Sequence, residues 1–210
     1  QVVMAAFDDI EKAGQSVANV IAAGIIPSGF EMMDQAATRA VEGFARAGYR
    51  TDVAAVLLCE ADGTREEVAE DIRRIQDLME SSGAVQTEVS RDEAQRLRFW
   101  AGRKAAFPAA GAISPDYYCM DGTIPRRHIG EVLRKITELE GKFGLRCANV
   151  FHAGDGNLHP LILYDANQPG ELARTEAFGA EILELCLEVG GTITGEHGVG
   201  VEKINSMCVQ

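Results

Sequence analysis

The sequence predicts an α+β fold of ferredoxin-like type, single or duplicated, with a mostly antiparallel sheet and helices packed on one face. Three observations carry this expectation. Short apolar runs alternate with amphipathic stretches along the whole chain. A unit of strand, Asp-Gly-Thr turn, helix and strand occurs twice, near Asp62 and near Asp121. Between two apolar runs, Asp155-Gly156 is a two-residue hairpin signal that returns the chain antiparallel.

The elements follow in order. Residues 1–7 read as a strand already under way, and 8–23 as a helix with Ile10, Val17, Val20 and Ile21 on a loose apolar face. Pro27-Ser28-Gly29 interrupts the chain, and 35–47 reads as a second helix. The continuous apolar run 53–59 has the signature of a strand covered on both faces. Asp62-Gly63-Thr64 ends it, and a helix over 65–81 carries Val68, Ile72, Ile75 and Met79 at helical spacing. Ser81-Ser82-Gly83 stops that helix before a strand at 85–89. Residues 91–105 read as helix, and Pro108, Gly111 and Pro115 mark a loop. A strand at 116–120 precedes a helix that Pro125 opens, that Ile129, Val132, Leu133, Ile136 and Leu139 stripe, and that Gly144 caps. Strands at 146–152 and 158–164 and a helix at 171–189, closed by Gly190-Gly191, complete the reading.

Composition narrows the function. The chain has 210 residues, with 20 Lys+Arg against 32 Asp+Glu and a net charge of −12. Such a chain is poorly suited to neutralising nucleic-acid phosphates or to resting on an anionic membrane. No apolar run approaches the roughly 18 residues of a membrane-spanning helix. The five cysteines are scattered and form no CxxC pair, which points to a reducing compartment without a disulfide framework. Both ends read as cut, so the expectation is a piece of a longer polypeptide.

The chemistry concentrates in two glycine-dense segments that hold three of the four histidines: His152-Ala-Gly-Asp-Gly-Asn-Leu-His159, and Gly191-Thr-Ile-Thr-Gly-Glu196-His197-Gly-Val-Gly200. With a two-residue Asp155-Gly156 turn, His152 faces His159, and directly opposed Cβ atoms lie roughly 4.5–5.5 Å apart. Two imidazoles on one face can reach a common cation, and a carboxylate completes an open site. Glu196 is the first candidate for that carboxylate. Asp155 is the second, although a turn Asp more often caps its own backbone. His197, beside Glu196 and outside the ligand set, fits a general base. Gly195, Gly198 and Gly200 suit close backbone approach to a ligand. Arg103 and Lys104 end a helix before the Pro/Gly loop. They read equally as a solvated basic helix end or as carboxylate binders.

These two motifs, with Phe99-Trp100-x-x-Arg103-Lys104 and Met120-Asp121-x-x-x-Pro125, resemble the C-terminal cap domain of FAD-linked oxidases. The resemblance covers essentially the whole chain and lies toward glycolate oxidases and D-lactate and D-2-hydroxyglutarate dehydrogenases. It implies a cap over residues 1–210, with the FAD-binding domain on a separate, N-terminal part absent from this chain. It implies that His152, His159 and Glu196 ligate a divalent metal, Zn or Mn, and that His197 takes the substrate's hydroxyl proton. Arg103 and Asn157 would bind substrate, and Asn157 and Gly198 would approach the flavin. Cys119 and Leu161 stand where members acting on D-2-hydroxyglutarate carry Lys and Asn, so a small monocarboxylate such as D-lactate or glycolate is expected. The implied partners are that substrate and an electron acceptor such as a quinone, a cytochrome or an electron-transfer flavoprotein. The implied assembly partners are other oxidase subunits or a second copy of the chain. The implied location is cytoplasmic, with any membrane association made through partner subunits. Two other readings compete: a metal- or ligand-sensing module without chemistry, and a metal-dependent hydrolase using the same His152, His159 and Glu196.

Overall fold

The computed structural model describes residues 1–210. The first half comprises β1 (Val2–Phe7), α1 (Ile10–Ala22), β2 (Gly29–Asp34), α2 (Gln35–Ala45), β3 (Ala55–Glu60), α3 (Arg65–Ser81) and β4 (Gln86–Val89). Its strands pair antiparallel in the order β4-β1-β3-β2. This is a ferredoxin-like βαββαβ unit with α2 inserted between its middle strands. Local chemistry starts the helices. Asp9 accepts the N–H groups of Glu11 and Lys12 at the head of α1, and Thr64 and Glu67 form a reciprocal capping box on α3.

The chain continues through α4 (Glu93–Lys104), α5 (Ala106–Ile113), β5 (Asp116–Cys119), β6 (Gly122–Thr123), α6 (Ile129–Phe143), β7 (Arg146–His152), β8 (Asn157–Leu158), β9 (Pro160–Tyr164) and α7 (Glu171–Glu188). β9 lies between β5 and β7, while β8 pairs with β6 and β7, all antiparallel. After α7, the place of a fourth strand is taken by a single bridge, Thr123 to Thr192. The second half therefore repeats the βαββαβ plan with its last strand reduced to one bridge. The two halves join edge to edge through β2 and β7. The corresponding helices α1 and α6 cross there at Gly14 and Gly130, where a Cβ on Gly14 would stand 2.6 Å from the Gly130 nitrogen.

The α+β class, the antiparallel sheet and the duplicated plan agree with the sequence. The helices, however, are divided between both faces instead of gathered on one. Val3, Ala5 and Phe7 of β1 point into a core with α1, α3, α6 and α7. Val2, Met4 and Ala6 point into a second core with α2, α4 and α5. Strands apolar on alternate and intervening residues alike need cover on both sides. Two further differences are local. The loop expected around Pro108 is α5, where Pro108 sits in the first turn and its missing N–H would have no intrahelical partner. β2 carries no clear sequence signal, because Pro27-Ser28-Gly29 precedes it and Glu31 interrupts its apolar run. No helix is long and apolar enough to cross a membrane.

Candidate metal centre

The site lies where one face of three adjacent strands turns polar at the same end. On the face that carries α4 and α5, Met33 gives way to Glu31 on β2, Ala148 and Val150 to His152 on β7, and Leu163 and Leu161 to His159 and Asn157. The β2–β7 ladder sets Glu31 directly opposite His152.

The hairpin register differs from the expected one. His152 pairs with Asn157, not His159, and residues 153–156 form a four-residue turn. Contacts outside the hairpin hold this turn open. The Gly154 N–H donates to Phe30 O at 3.0 Å, Ile124 N–H donates to Gly156 O at 2.9 Å, and Arg126 donates to Gly154 O. Gly156 has φ +73°, and a Cβ there would meet the Ile124 carbonyl. A shift of two residues preserves side-chain parity. His152 and His159 therefore still share a face, as diagonal neighbours, with ring centroids 5.2 Å apart and nearly perpendicular.

The loop after α7 brings the carboxylate. Asp121, 0% exposed, is its anchor. One oxygen, Oδ2, accepts from the Thr194 hydroxyl at 2.7 Å and from the backbone N–H groups of Gly195, Glu196 and His197 at 2.8, 3.1 and 2.9 Å. Oδ1 accepts from Asn157 Nδ2 at 2.8 Å, and Lys203 Nζ donates to the Asp121 carbonyl at 2.6 Å. Burial alone would raise the Asp121 pKa, but these donors outweigh it and hold the carboxyl well below the usual range. The loop so wrapped presents Glu196 Oε1 at 3.1 Å from His159 Nε2 and 3.6 Å from His152 Nε2. Ligand atoms of His152, His159 and Glu196 all lie within 4.8 Å of one another. His197 stacks on His159 with centroids 4.9 Å apart, and its Nε2 is 3.7 Å from the same Glu196 oxygen.

These residues fit a divalent cation. His159 is 2% exposed, and neither ring nitrogen makes a hydrogen bond. Burial, reinforced by neighbouring His152, lowers its pKa to about 4, so at neutral pH it offers a bare imidazole lone pair. A buried, unpaired imidazole at His159, converging with the half-buried His152 and the exposed Glu196, is a donor set of two imidazoles and one carboxylate that suits Zn or Mn with open positions left over. His152 is held differently. Its Nδ1 is 2.7 Å from Glu31 Oε1, and this contact raises its pKa against the opposing effect of burial.

The other expected residues fall as follows. Arg103, 8% exposed, gives Nε and Nη2 to Glu31 Oε2 at 2.9 and 2.8 Å, while its neighbour Lys104 is exposed. Asn157 is buried and committed to Asp121 through Nδ2, with Oδ1 unpaired. Its amide occupies the space a Cβ on Gly195 would need. Gly198 is left-handed at φ +81° and faces open space. Asp155 sits in the hairpin turn, outside the convergent donor group. Sequence reasoning missed Glu31 and the role of Asp121. A lone carboxylate inside the run Phe30-Glu31-Met32-Met33 was the available signal for the first; Asp121 showed only as part of a turn and of a motif.

Comparison with known proteins places the chain in a family. The family model described as FAD linked oxidases, C-terminal domain, matches residues 1–210. The chain belongs to that family. It is 60% identical over 210 residues to glycolate oxidase subunit GlcD of Escherichia coli (strain K12), covering 100% of this chain and 42% of that protein. It is 36% identical over 200 residues to the GlcD subunit of Bacillus subtilis (strain 168), covering 95% and 43% of the two chains. A probable mitochondrial D-lactate dehydrogenase of Danio rerio is 28% identical over 204 residues, with coverage of 94% and 40%. The chain thus spans less than half the length of these relatives. Among solved structures, p-cresol methylhydroxylase with substrate bound matches at TM-score 0.66 and 16% identity, over 91% of this chain and 44% of that one. At that identity the likeness speaks for the shared fold.

Proposed function

We propose that this FAD-linked oxidase domain is the substrate- and metal-binding cap of an enzyme that oxidises a small D-2-hydroxy acid, of D-lactate or glycolate type, to the 2-oxo acid. The observation that carries the reading is the convergence of His152, His159 and Glu196 with an additional histidine, His197, stacked beside them. A pure binding site has no need of that extra imidazole. The glycolate oxidase and D-lactate dehydrogenase names of its relatives support the substrate class. Cys119 and Leu161, less polar than a second carboxylate requires, support a monocarboxylate.

In this reading, His152, His159 and Glu196 hold Zn or Mn, which when bound polarises the substrate hydroxyl and lowers its pKa. FAD, held mainly by the flavin domain, would supply the acceptor for the hydride on the carbon bearing that hydroxyl. His197 Nε2 removes the hydroxyl proton, so one hydride and one proton leave together and a carbonyl forms. Arg103 supplies positive charge for the substrate carboxylate. Asn157 and Gly198 line the approach of substrate and flavin. The proposed electron acceptor is a quinone, a cytochrome or an electron-transfer flavoprotein. The word "subunit" in the names of two relatives supports assembly with other chains. A cytoplasmic setting, with membrane contact through such partners, completes the proposal.

The test is anaerobic mixing of the intact flavoprotein with D-lactate or glycolate while flavin absorbance is followed. The expected result is flavin bleaching by one of these acids. His197→Ala should keep metal and flavin yet lose about 10²–10⁴-fold in kcat. Near-normal turnover in that variant would assign the proton to another group.

A further inference from the structure

We infer that Glu31 is the positioning residue of the metal centre: its carboxylate fixes the His152 tautomer and simultaneously holds Arg103. The inference rests on the metal-site reading above and goes beyond it, because Glu31 touches none of the open donor positions. Three observations carry it. The β2–β7 ladder places Glu31 opposite His152, so the two side chains leave the same face. Glu31 Oε1 is 2.7 Å from His152 Nδ1, while Oε2 accepts from Arg103 Nε and Nη2 at 2.9 and 2.8 Å. Glu31 and Arg103 are buried, at 7% and 8% exposed, and His152 is half-buried at the edge of the site.

The carboxylate can only accept here, so His152 must donate from Nδ1. In the neutral ring that leaves Nε2 bare, and Nε2 is the nitrogen aimed at Glu196 Oε1, 3.6 Å away. Glu31 thus selects, by geometry, the neutral tautomer of His152 whose Nε2 lone pair faces the centre. The far side of the relay is rigid as well. The Arg103 N–H donates to the Tyr49 hydroxyl at 3.1 Å, and that hydroxyl bonds the Phe99 carbonyl. A carboxylate shared between a ligating histidine and a buried arginine links metal affinity to the charge that meets the substrate.

The experiment is zinc titration of the intact protein against a chromophoric chelator, with Glu31→Gln compared to wild type. Glu31→Gln should weaken zinc binding about 10–100-fold. Excess zinc should restore most of its activity, which it cannot do for His197→Ala. An unchanged zinc Kd in a folded Glu31→Gln protein would make Glu31 only the counterion of Arg103 and overturn the inference. Wild type that binds no zinc overturns the metal-site reading instead. A second measurement needs no variant. Two-dimensional ¹H–¹⁵N spectra of metal-free wild type, at about pH 9 where imidazoles are neutral, report the His152 tautomer. Protonated Nδ1 with bare Nε2 supports the inference, and protonated Nε2 contradicts it.

Discussion

The two halves share one βαββαβ plan but use it differently. In the first half every strand is complete, and β4 pairs with β1 over four residues. In the second half the matching strand is a single bridge at Thr192, and the chain beyond it forms no ladder. The freed backbone N–H groups of residues 195–197 wrap the Asp121 carboxylate instead. The middle strands differ too. β2 and β3 are separated by a helix, whereas β7 and β8 are joined by a four-residue turn that sets two histidines side by side. All four histidines lie in the second half, and the first contributes the buried Glu31 that holds one of them. An incomplete strand thus provides the site, and a complete unit provides the rigid wall against which it is built.

If that contrast is right, perturbing the two halves must have unequal consequences. The largest effect is expected at Asp121. Asp121→Ala leaves Lys203 and three backbone N–H groups without their buried anion, which should cost about 3–5 kcal/mol. It should also abolish metal binding, because Glu196 rides on the wrapped loop. Chemical denaturation and metal analysis of the same preparation check both. A variant that keeps its metal would show that the loop holds its shape without the carboxylate.

The seam between the halves should respond to pH. Asp34, at the end of β2, is pushed up to about 6, chiefly by burial, against hydrogen bonds from Ala37 and Asn149. The folded protein therefore binds the Asp34 proton more tightly than the unfolded chain, whose reference value is 3.8. Stability from this group is fullest below the unfolded value and falls as pH rises through about 4 to 6. Asp34→Asn lacks that loss, so its stability relative to wild type should improve by about 2–3 kcal/mol across this window. Thermal melts at both ends of the window check it; a constant difference would show that Asp34 does not change protonation there.

The smallest effect is expected in the first half. Thr64→Ala removes the α3 capping box and should cost about 1 kcal/mol. Metal content should be unchanged, since α3 packs on the face away from the site. Altered metal binding in this variant would join the halves more tightly than the comparison allows.

How much of this could be read from sequence depends on the range of each interaction. The helices of Ile72, Ile75 and Met79 and of Ile129, Val132 and Leu133 follow from local periodicity, and the strand at 53–59 from its unbroken apolar run. The shared face of His152 and His159 also emerged, because side-chain parity survives a two-residue error in register. The register itself did not, since Phe30, Ile124 and Arg126 hold the turn open from other parts of the chain. Glu31 stood out only as a carboxylate in an apolar run, and its role was illegible because its partner lies 121 residues away across the seam. Asp121 was illegible as an anchor because most of what it binds is backbone, which no residue type announces.

The central claim is that His152, His159 and Glu196 share one cation. Elemental analysis of intact wild type and of His159→Ala, purified side by side and dialysed against trace metal, tests it directly. The account predicts stoichiometric Zn or Mn in wild type and its loss in His159→Ala, with flavin retained in both. Equal metal content in the two proteins would contradict it.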